Sequence, residues 1–294
     1  MNRLWLLAAG LLTGCSSDAD KAATVLYEPG YTIEIVLDNA DGITSPDGLW
    51  WHDNALYIAD EGGSAIRRWD GKVVETLADG SSGIASPEDL VVDANGQVWF
   101  TDDTSGGLWL VTSKGAQRVA RSEAITESEG IALLADGSVW VGDGKRAAVA
   151  AFPKDGSGPI PVITDWQVAK PESMARMTDN TLWLADNRED RLIRFGSDGS
   201  AREWLLPDDL SPESIAAAGD NFWITDSHNG RLYRLDSKTG KTETVAAFLA
   251  DFANINGLTI DPAGVVYISI QSDLDAGKGY ILRLLPQPGV EASR

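Results

Sequence analysis

Short apolar runs separated by turns recur along the whole chain and predict β-strands rather than helices. The first, residues 31–37, reads Tyr-Thr-Ile-Glu-Ile-Val-Leu, and its β-branched content favours a strand. Further on, four runs follow one another at residues 90–93, 97–101, 107–112 and 116–120. An Ala-Asn-Gly turn joins the first two of these runs. Such a unit is typical of a four-stranded antiparallel sheet.

A short polar motif precedes the first strand of each unit and occurs six times. It begins as Ser-Pro-Asp-Gly-Leu and returns as variants that keep an acid or amide at the third position. The spacing is regular, with 41 residues from Asp47 to Glu88 and 43 from Glu129 to Glu172. Six units of about forty residues with four strands each predict an all-β fold, a six-bladed β-propeller. A solenoid also repeats at such periods and is the alternative.

The ends of the repeat predict how the ring closes. Nothing after residue 285 can supply a fourth strand to the sixth unit, so the strand at 31–37 is free to complete that last blade. The expected organisation is a propeller over residues 31–286 and a C-terminal tail over 287–294. A length of 294 residues alone would suggest two domains, but the repeat overrides that expectation.

Two further positions repeat in the second strand of each unit. An aromatic residue occurs in every copy, which we interpret as packing between blades rather than cofactor stacking. An aspartate closes five of the six strands, as Asp102 does in the second unit. A carboxylate there can accept backbone N–H groups of the following turn, so we expect these aspartates to be structural.

The six motifs should meet at one end of the central channel, because each begins an innermost strand. Repulsion between two carboxylates ~4 Å apart is roughly 4 kcal/mol at an effective dielectric constant of 20. The ring must therefore hold protons or a cation.

Oxygen ligands suit a hard divalent ion, and Ca²⁺ tolerates an irregular set of ligands. A single Pro-Glu would be a turn residue, but five acids at one position favour a metal. The candidate ligands are Asp47, Glu88, Glu129, Glu172, Glu213 and Asn256.

The net charge of the chain limits which kinds of molecule it is expected to bind. Forty-four acidic and 24 basic residues give a net charge of −20, which argues against nucleic acid and against anionic lipid bound through a basic face. Cations and small molecules fit better. Acidic surfaces are also common in secreted proteins, so charge alone does not establish cation binding. We expect a monomer whose partner at the motif face is a small-molecule substrate or a protein ligand.

The N-terminus predicts export and lipid anchoring. Residues 1–14 have a basic residue followed by an apolar run too short to remain as a spanning helix, as in a secretory signal peptide. Leu-Thr-Gly before Cys15 is similar to a bacterial lipobox, in which the thiol is acylated. We expect a lipid anchor at Cys15, a flexible linker over 15–30 and a place in the bacterial cell envelope. Ser16 favours the outer membrane, facing the periplasm. The alternative is an ordinary signal peptide with an incidental cysteine.

The repeat resembles the six-bladed propellers of the gluconolactonase and regucalcin superfamily, with NHL-repeat and strictosidine-synthase-like proteins, over roughly residues 31–286. Pro46-Asp47-Gly48-Leu49 resembles that family's aspartate motif, and Ile255-Asn256-Gly257-Leu258 its asparagine motif. Glu129 matches the family glutamate. The resemblance implies a divalent metal, usually calcium, at the channel mouth, with Asp47 as a ligand and general base. Three glutamates depart from the pattern and put lactonase activity in doubt: Glu88, Glu172 and Glu213.

His228 is the candidate proton carrier, because the loop joining the second and third strands of the fifth unit should reach the motif face. The alternative is an exposed polar loop residue. His52, the other histidine, should lie on the opposite face.

Three functions compete for this sequence. The leading hypothesis is a Ca²⁺-dependent hydrolase of a lactone or related ester. The second is a non-catalytic NHL-like propeller that holds a structural ion and binds a partner. A lyase resembling the streptogramin-inactivating propellers ranks last, because it needs a His and Glu pair and only His228 is available.

Overall fold

Six antiparallel sheets, five with four strands and one with five, are arranged as the blades of a β-propeller. The computed structural model describes residues 24–26, 30–120, 125–154, 158, 160–161, 168–196, 200–207, 209–249, 254–272 and 277–287. The predicted leader, Cys15 and residues 288–294 lie outside this description. No helix within the described residues is long and apolar enough to cross a membrane.

Each blade uses four consecutive strands, except the last. Blade 1 contains β3 (Pro46–His52), β4 (Ala55–Asp60), β5 (Ala65–Trp69) and β6 (Val74–Ala78). Blade 2 contains β7 (Pro87–Val92), β8 (Val98–Asp102), β9 (Leu108–Thr112) and β10 (Gly115–Ala120). Blade 3 contains β11 (Ser128–Leu133), β12 (Val139–Asp143), β13 (Ala148–Phe152) and β14 (Ile160–Pro161). Blade 4 contains β15 (Pro171–Arg176), β16 (Leu182–Asp186), β17 (Arg191–Phe195) and β18 (Ala201–Leu205).

The last two blades complete the ring. Blade 5 contains β19 (Ile215–Ala218), β20 (Asn221–Asp226), β21 (Arg231–Asp236) and β22 (Thr242–Phe248). Blade 6 contains β23 (Ile255–Ile260), β24 (Val266–Gln271) and β25 (Gly279–Pro286), with β2 (Tyr31–Leu37) as its outer strand. The predicted closure is confirmed, because β2 pairs antiparallel with β25 and places Tyr31 opposite Pro286.

One strand was not predicted. A three-residue strand, β1 (Thr24–Leu26), pairs antiparallel with β22 and becomes the fifth strand of blade 5. It lies inside residues 15–30, which the sequence assigned to a flexible linker, so that assignment is corrected for these three residues. Pairing covers the outer edge of β22, where unsatisfied backbone groups would otherwise face solvent.

Aromatic side chains of the second strands pack between neighbouring blades, as predicted. The ring of Trp183 in blade 4 lies 4.7 Å from that of Phe222 in blade 5. Trp223 meets Tyr31 of blade 6 edge to face at 5.7 Å. Buried aromatic pairs of this kind add to the apolar area that holds blades together.

The aspartates that close the second strands fix the polar loops of the motif face. The Asp102 carboxylate is fully buried and accepts the N–H groups of Ala85 and Ser86, at 2.8 and 3.1 Å. It also accepts the N–H of Ser105, at 2.7 Å, from the loop that follows. One carboxylate therefore joins the loop entering the first strand to the loop leaving the second. This confirms the structural interpretation of these aspartates.

Candidate functional site

Acidic side chains of the repeated motif meet around the mouth of the central channel. Carboxylate oxygens of Glu88, Glu129 and Glu172 lie within 4.8 Å of one another. Asp47 and Glu213 line a small cavity of about 20 Å³ together with Glu88 and Glu172, and this space is sufficient for one ion or one water. Glu129 does not line the cavity but belongs to the cluster of three glutamates, so the structure brings five of the six predicted ligands to the channel mouth.

An irregularity in the strand pairing lies at the motif in five of the six blades, and only the pairing of β19 with β20, which follows Glu213, has none. The register between the first and second strands shifts after Pro46, Pro87, Ser128, Pro171 and Ile255. A β-bulge re-aims the side chains next to it and is common beside functional sites. The polar motif is therefore the sequence of a bulge at the start of the innermost strand.

The residue that follows each acid or amide determines how closely neighbouring blades approach. A Cβ built on Gly48 would lie 2.6 Å from the Cα of Asp89 in blade 2, and one on Gly130 would lie 2.6 Å from the Cα of Ser173 in blade 4. No side chain fits at such distances. The glycines of the resemblance motifs are therefore required by packing. In blade order the six residues are Gly48, Asp89, Gly130, Ser173, Ser214 and Gly257.

Gly130→Ala should destabilise the protein by about 2–3 kcal/mol, because its methyl group would press on the backbone of blade 4. The matched control is Gly80→Ala, whose Cβ would meet nothing closer than the Cβ of Ser64, at 3.7 Å. Urea unfolding of both variants measures the difference. Equal stability would contradict the packing explanation.

Burial and mutual repulsion raise the pKa values of the ring carboxyls. Burial raises the pKa of Asp47 well above its ordinary value, with Glu213 and Glu61 adding repulsion. The pKa values of Glu88 and Glu172 rise in the same way. Burial raises the pKa of Glu129 to about 7. Without a bound cation, several of these groups therefore hold protons near neutral pH.

Lys170 supplies one positive charge inside the ring. Its Nζ lies 2.7 Å from Glu172 Oε1 and 3.9 Å from Glu129 Oε1. Burial opposes its charge, but Glu172 and Glu129 outweigh burial and raise the pKa of Lys170. Lys170 lies two residues before Glu172 in the sequence, and that spacing gave no indication of this contact. A lysine there partly compensates the carboxylates that were expected to require a metal.

A second set of polar residues surrounds the ring, and the sequence analysis assigned no role to it. Gln271 Nε2 donates to Glu61 Oε2 at 2.9 Å and to Asp47 Oδ2 at 3.3 Å. Asn187 Nδ2 and Ser227 Oγ donate to Glu213 Oε2, at 3.1 and 2.7 Å. Glu61, Asn187 and Ser227 directly follow the second strands of their blades, and Gln271 is the last residue of β24. Aligning the six loops at that point would have identified them.

Two predicted site residues belong neither to the cluster of three glutamates nor to the lining of the ring cavity. His228 is exposed and lines a separate depression of about 430 Å³ with Asp190 and Asp209. This placement gives no support to its role as a proton carrier beside the ring. Asn256 is buried, its backbone carbonyl accepts the hydroxyl of Thr225, and it is absent from the lining of the ring cavity. Its motif nevertheless adjoins that of Asp47, as expected, since Ser269 Oγ donates to both Asp47 O and Gly257 O.

The ring residues fit a hard divalent cation. Glu172 Oε2 is buried and has no hydrogen-bond partner within the described residues. Glu129 and Glu88 present oxygens close to those of Glu172. Carboxylate oxygens are the ligands that Ca²⁺ and Mg²⁺ prefer. An unsatisfied buried oxygen in such a set is the atom to which a cation would bind. Lys170 already partly neutralises the negative charge on this side of the ring.

The fold and site define a class: six-bladed propellers with an acidic ring at one mouth of the channel. The chain belongs to the SMP-30/Gluconolactonase/LRE-like family, whose model matches residues 17–225. No curated protein matches the chain.

Similar solved structures share this architecture. A gluconolactonase from Xanthomonas campestris is 17% identical, with a TM-score of 0.70, and the match covers 88% of this chain and 90% of that one. Virginiamycin B lyase from Staphylococcus aureus is 18% identical, with a TM-score of 0.65, covering 86% and 99%. A luciferin-regenerating enzyme is 11% identical, with a TM-score of 0.69, covering 88% and 96%. At these identities the likeness shows the fold.

Proposed function

We propose that the protein is a divalent-cation-dependent hydrolase of a lactone or related ester, acting at the mouth of the central channel. The observation that carries this proposal is the convergence of Glu88, Glu129 and Glu172 in a member of this family. Ca²⁺ is the proposed cation, because the set offers oxygen ligands only and its geometry is irregular.

Different residues of the chain would bind the cation and transfer the proton. Glu88, Glu129 and Glu172 would hold the cation, which would supply polarisation of a carbonyl when bound. Asp47 is partly exposed, and Gln271 donates a hydrogen bond to its carboxylate. It would take a proton from the attacking water as a general base.

Asp47→Asn should lower kcat for the best substrate of a lactone panel by 10²- to 10⁴-fold, because an amide cannot accept the proton. The assay uses the purified protein with Ca²⁺, Zn²⁺ or Mn²⁺ and with chelator. Asp220→Asn is the control, since Asp220 is exposed and pairs with Lys238 away from the ring. No cation-dependent turnover, or unchanged turnover in Asp47→Asn, would sink the proposal.

A non-catalytic propeller with a structural ion is the second candidate, favoured by the small size of the ring cavity. A cavity of about 20 Å³ is too small to admit any part of a substrate. The carbonyl of a substrate would therefore have to bind at the partly exposed rim formed by Asp47 and Glu88. Cation binding without turnover on any lactone or ester would support this candidate.

We also propose that the mature protein is a monomer anchored by a lipid on Cys15 in the bacterial envelope. The motif before Cys15 and its place after an apolar run support this. Cys15→Ala should abolish incorporation of labelled fatty acid and move the protein from the membrane fraction to the soluble one. Labelling that survives the substitution would contradict lipidation at this residue.

A further inference from the structure

The face opposite the acidic ring has a cavity of about 970 Å³. The inner turns of blades 2 and 3 border it, at residues 93–97 and 134–137, and the ends of β3 and β15 close its axial side. Its volume lies within the range of about 300–1,000 Å³ that small-molecule sites occupy. The position separates it from the carboxylates of the ring.

Aromatic and aliphatic side chains form most of its wall. Trp50 and Trp99 are half-buried and line the cavity beside Leu133 and Phe152. Val119 extends the apolar surface toward the outer strand of blade 2 and is 47% exposed. The flat faces of two indoles suit the body of an aromatic ligand.

Two cations line this cavity, Lys154 and Arg176, and both are exposed. In the part of the chain that the structure describes, neither forms an ion pair. Arg176 Nη1 has a hydrogen bond of 3.3 Å to Asn180 Oδ1, which leaves its other donors available.

The two acids of the cavity are already engaged in its turns. Asp93 Oδ1 accepts the N–H groups of Asn95 and Gln97, at 2.8 and 2.9 Å. Asp136 Oδ1 accepts the N–H and the hydroxyl of Ser138, at 2.9 and 2.6 Å. These bonds direct one oxygen of each carboxylate into its own turn, whereas Lys154 and Arg176 pair with no acid among the described residues.

We propose that this cavity binds an amphipathic carboxylate, with its apolar body against Trp50 and Trp99 and its carboxylate at Lys154 and Arg176. The net charge of −20 repels anions over long distances. At physiological salt this repulsion is screened beyond about 8 Å, so the two local cations determine the preference inside the cavity. The site is on the opposite face from the proposed hydrolase centre, and neither proposal depends on the other.

Three probes with the same ring system and different charges test this proposal: 1-naphthoate, 1-naphthalenemethanol and 1-naphthylmethylammonium. Titration calorimetry with the full chain, in 0.15 M salt and chelator, measures each affinity. We expect naphthoate to bind at least roughly tenfold more tightly than the neutral alcohol, as charge-assisted hydrogen bonds allow. The ammonium should bind most weakly.

The variant Lys154→Gln/Arg176→Gln should abolish the preference for naphthoate and leave the affinity for the alcohol unchanged. Lys72→Gln is the control, because Lys72 is an exposed lysine outside this cavity and should change neither affinity. Trp99→Leu should weaken both ligands. The proposal is overturned if no probe binds, if the alcohol or the ammonium binds as tightly as naphthoate, or if the double variant keeps the preference.

Discussion

In the presence of chelator, the protein should lose stability as the pH rises from 5 to 8, and a divalent cation should reverse that loss. The folded state raises the pKa of Glu129 from an ordinary value of 4.5 to about 7 and also raises those of Asp47, Glu88 and Glu172. Between the unfolded and folded pKa values, the folded state binds more protons than the unfolded chain. Stability is therefore highest below pH 4.5 for this contribution and falls as the pH rises through 7.

The size of this loss of stability depends on how far each pKa is shifted between the unfolded and folded states. For Glu129 alone, the shift corresponds to on the order of 3 kcal/mol. A cation at 100 times its Kd would raise the free energy of unfolding by about 2.7 kcal/mol. This stabilisation should be larger at pH 8 than at pH 5, because protons compete least with the cation for the carboxylates at high pH. Urea unfolding at several pH values, with chelator or with Ca²⁺, measures both effects.

The control for this prediction is the triple variant Glu88→Gln/Glu129→Gln/Glu172→Gln. It keeps the shape of the ring and removes the three charges that lie together. Both the fall in stability with pH and the response to Ca²⁺ should shrink, while the general repulsion of an acidic chain remains. A chelated wild-type protein that is as stable at pH 8 as at pH 5 would contradict the expected repulsion in the ring.

The fold was largely predictable because the same sequence pattern, and with it the same local structure, occurs six times. The motif, the strand-end aspartates and the second-strand aromatics each occur at one place in a unit, so one interpretation could be checked against its copies. The strand β1 has no such copy. Its residues Thr24–Leu26 become a strand only because the edge of β22 is available, and that depends on tertiary structure.

The acidic ring was predictable in its position but not in its chemistry. Convergence of the acids follows from their place at the start of innermost strands. The neutralising role of Lys170 depends on a 2.7 Å contact with Glu172, which no spacing in the sequence indicates. Close approach between neighbouring blades requires glycine at positions 48 and 130, and this packing requirement is visible only in the structure.

Lys170→Met should destabilise the chelated protein by about 2–3 kcal/mol at pH 8. Removing one partner of a buried ion pair costs about 3–5 kcal/mol, and the lysine side chain is 30% exposed, which reduces the cost. The loss should be smaller at pH 5, because the raised pKa of Glu172 favours its protonated form as the pH falls. Lys241→Met is the control. Its ion pair with Glu243 is exposed and should contribute less than about 1 kcal/mol.

The same substitution should strengthen binding of Ca²⁺ at least tenfold, because the Lys170 ammonium and a cation compete for the oxygens of Glu172 and Glu129. Saturating Ca²⁺ should then restore most of the stability that Lys170→Met removes. Calorimetric titration of Ca²⁺ into wild type and both lysine variants measures the affinity. If Lys170→Met binds Ca²⁺ no more tightly than wild type, the ammonium does not compete with the ion, and the cation site must lie on the Asp47 and Glu88 side of the ring.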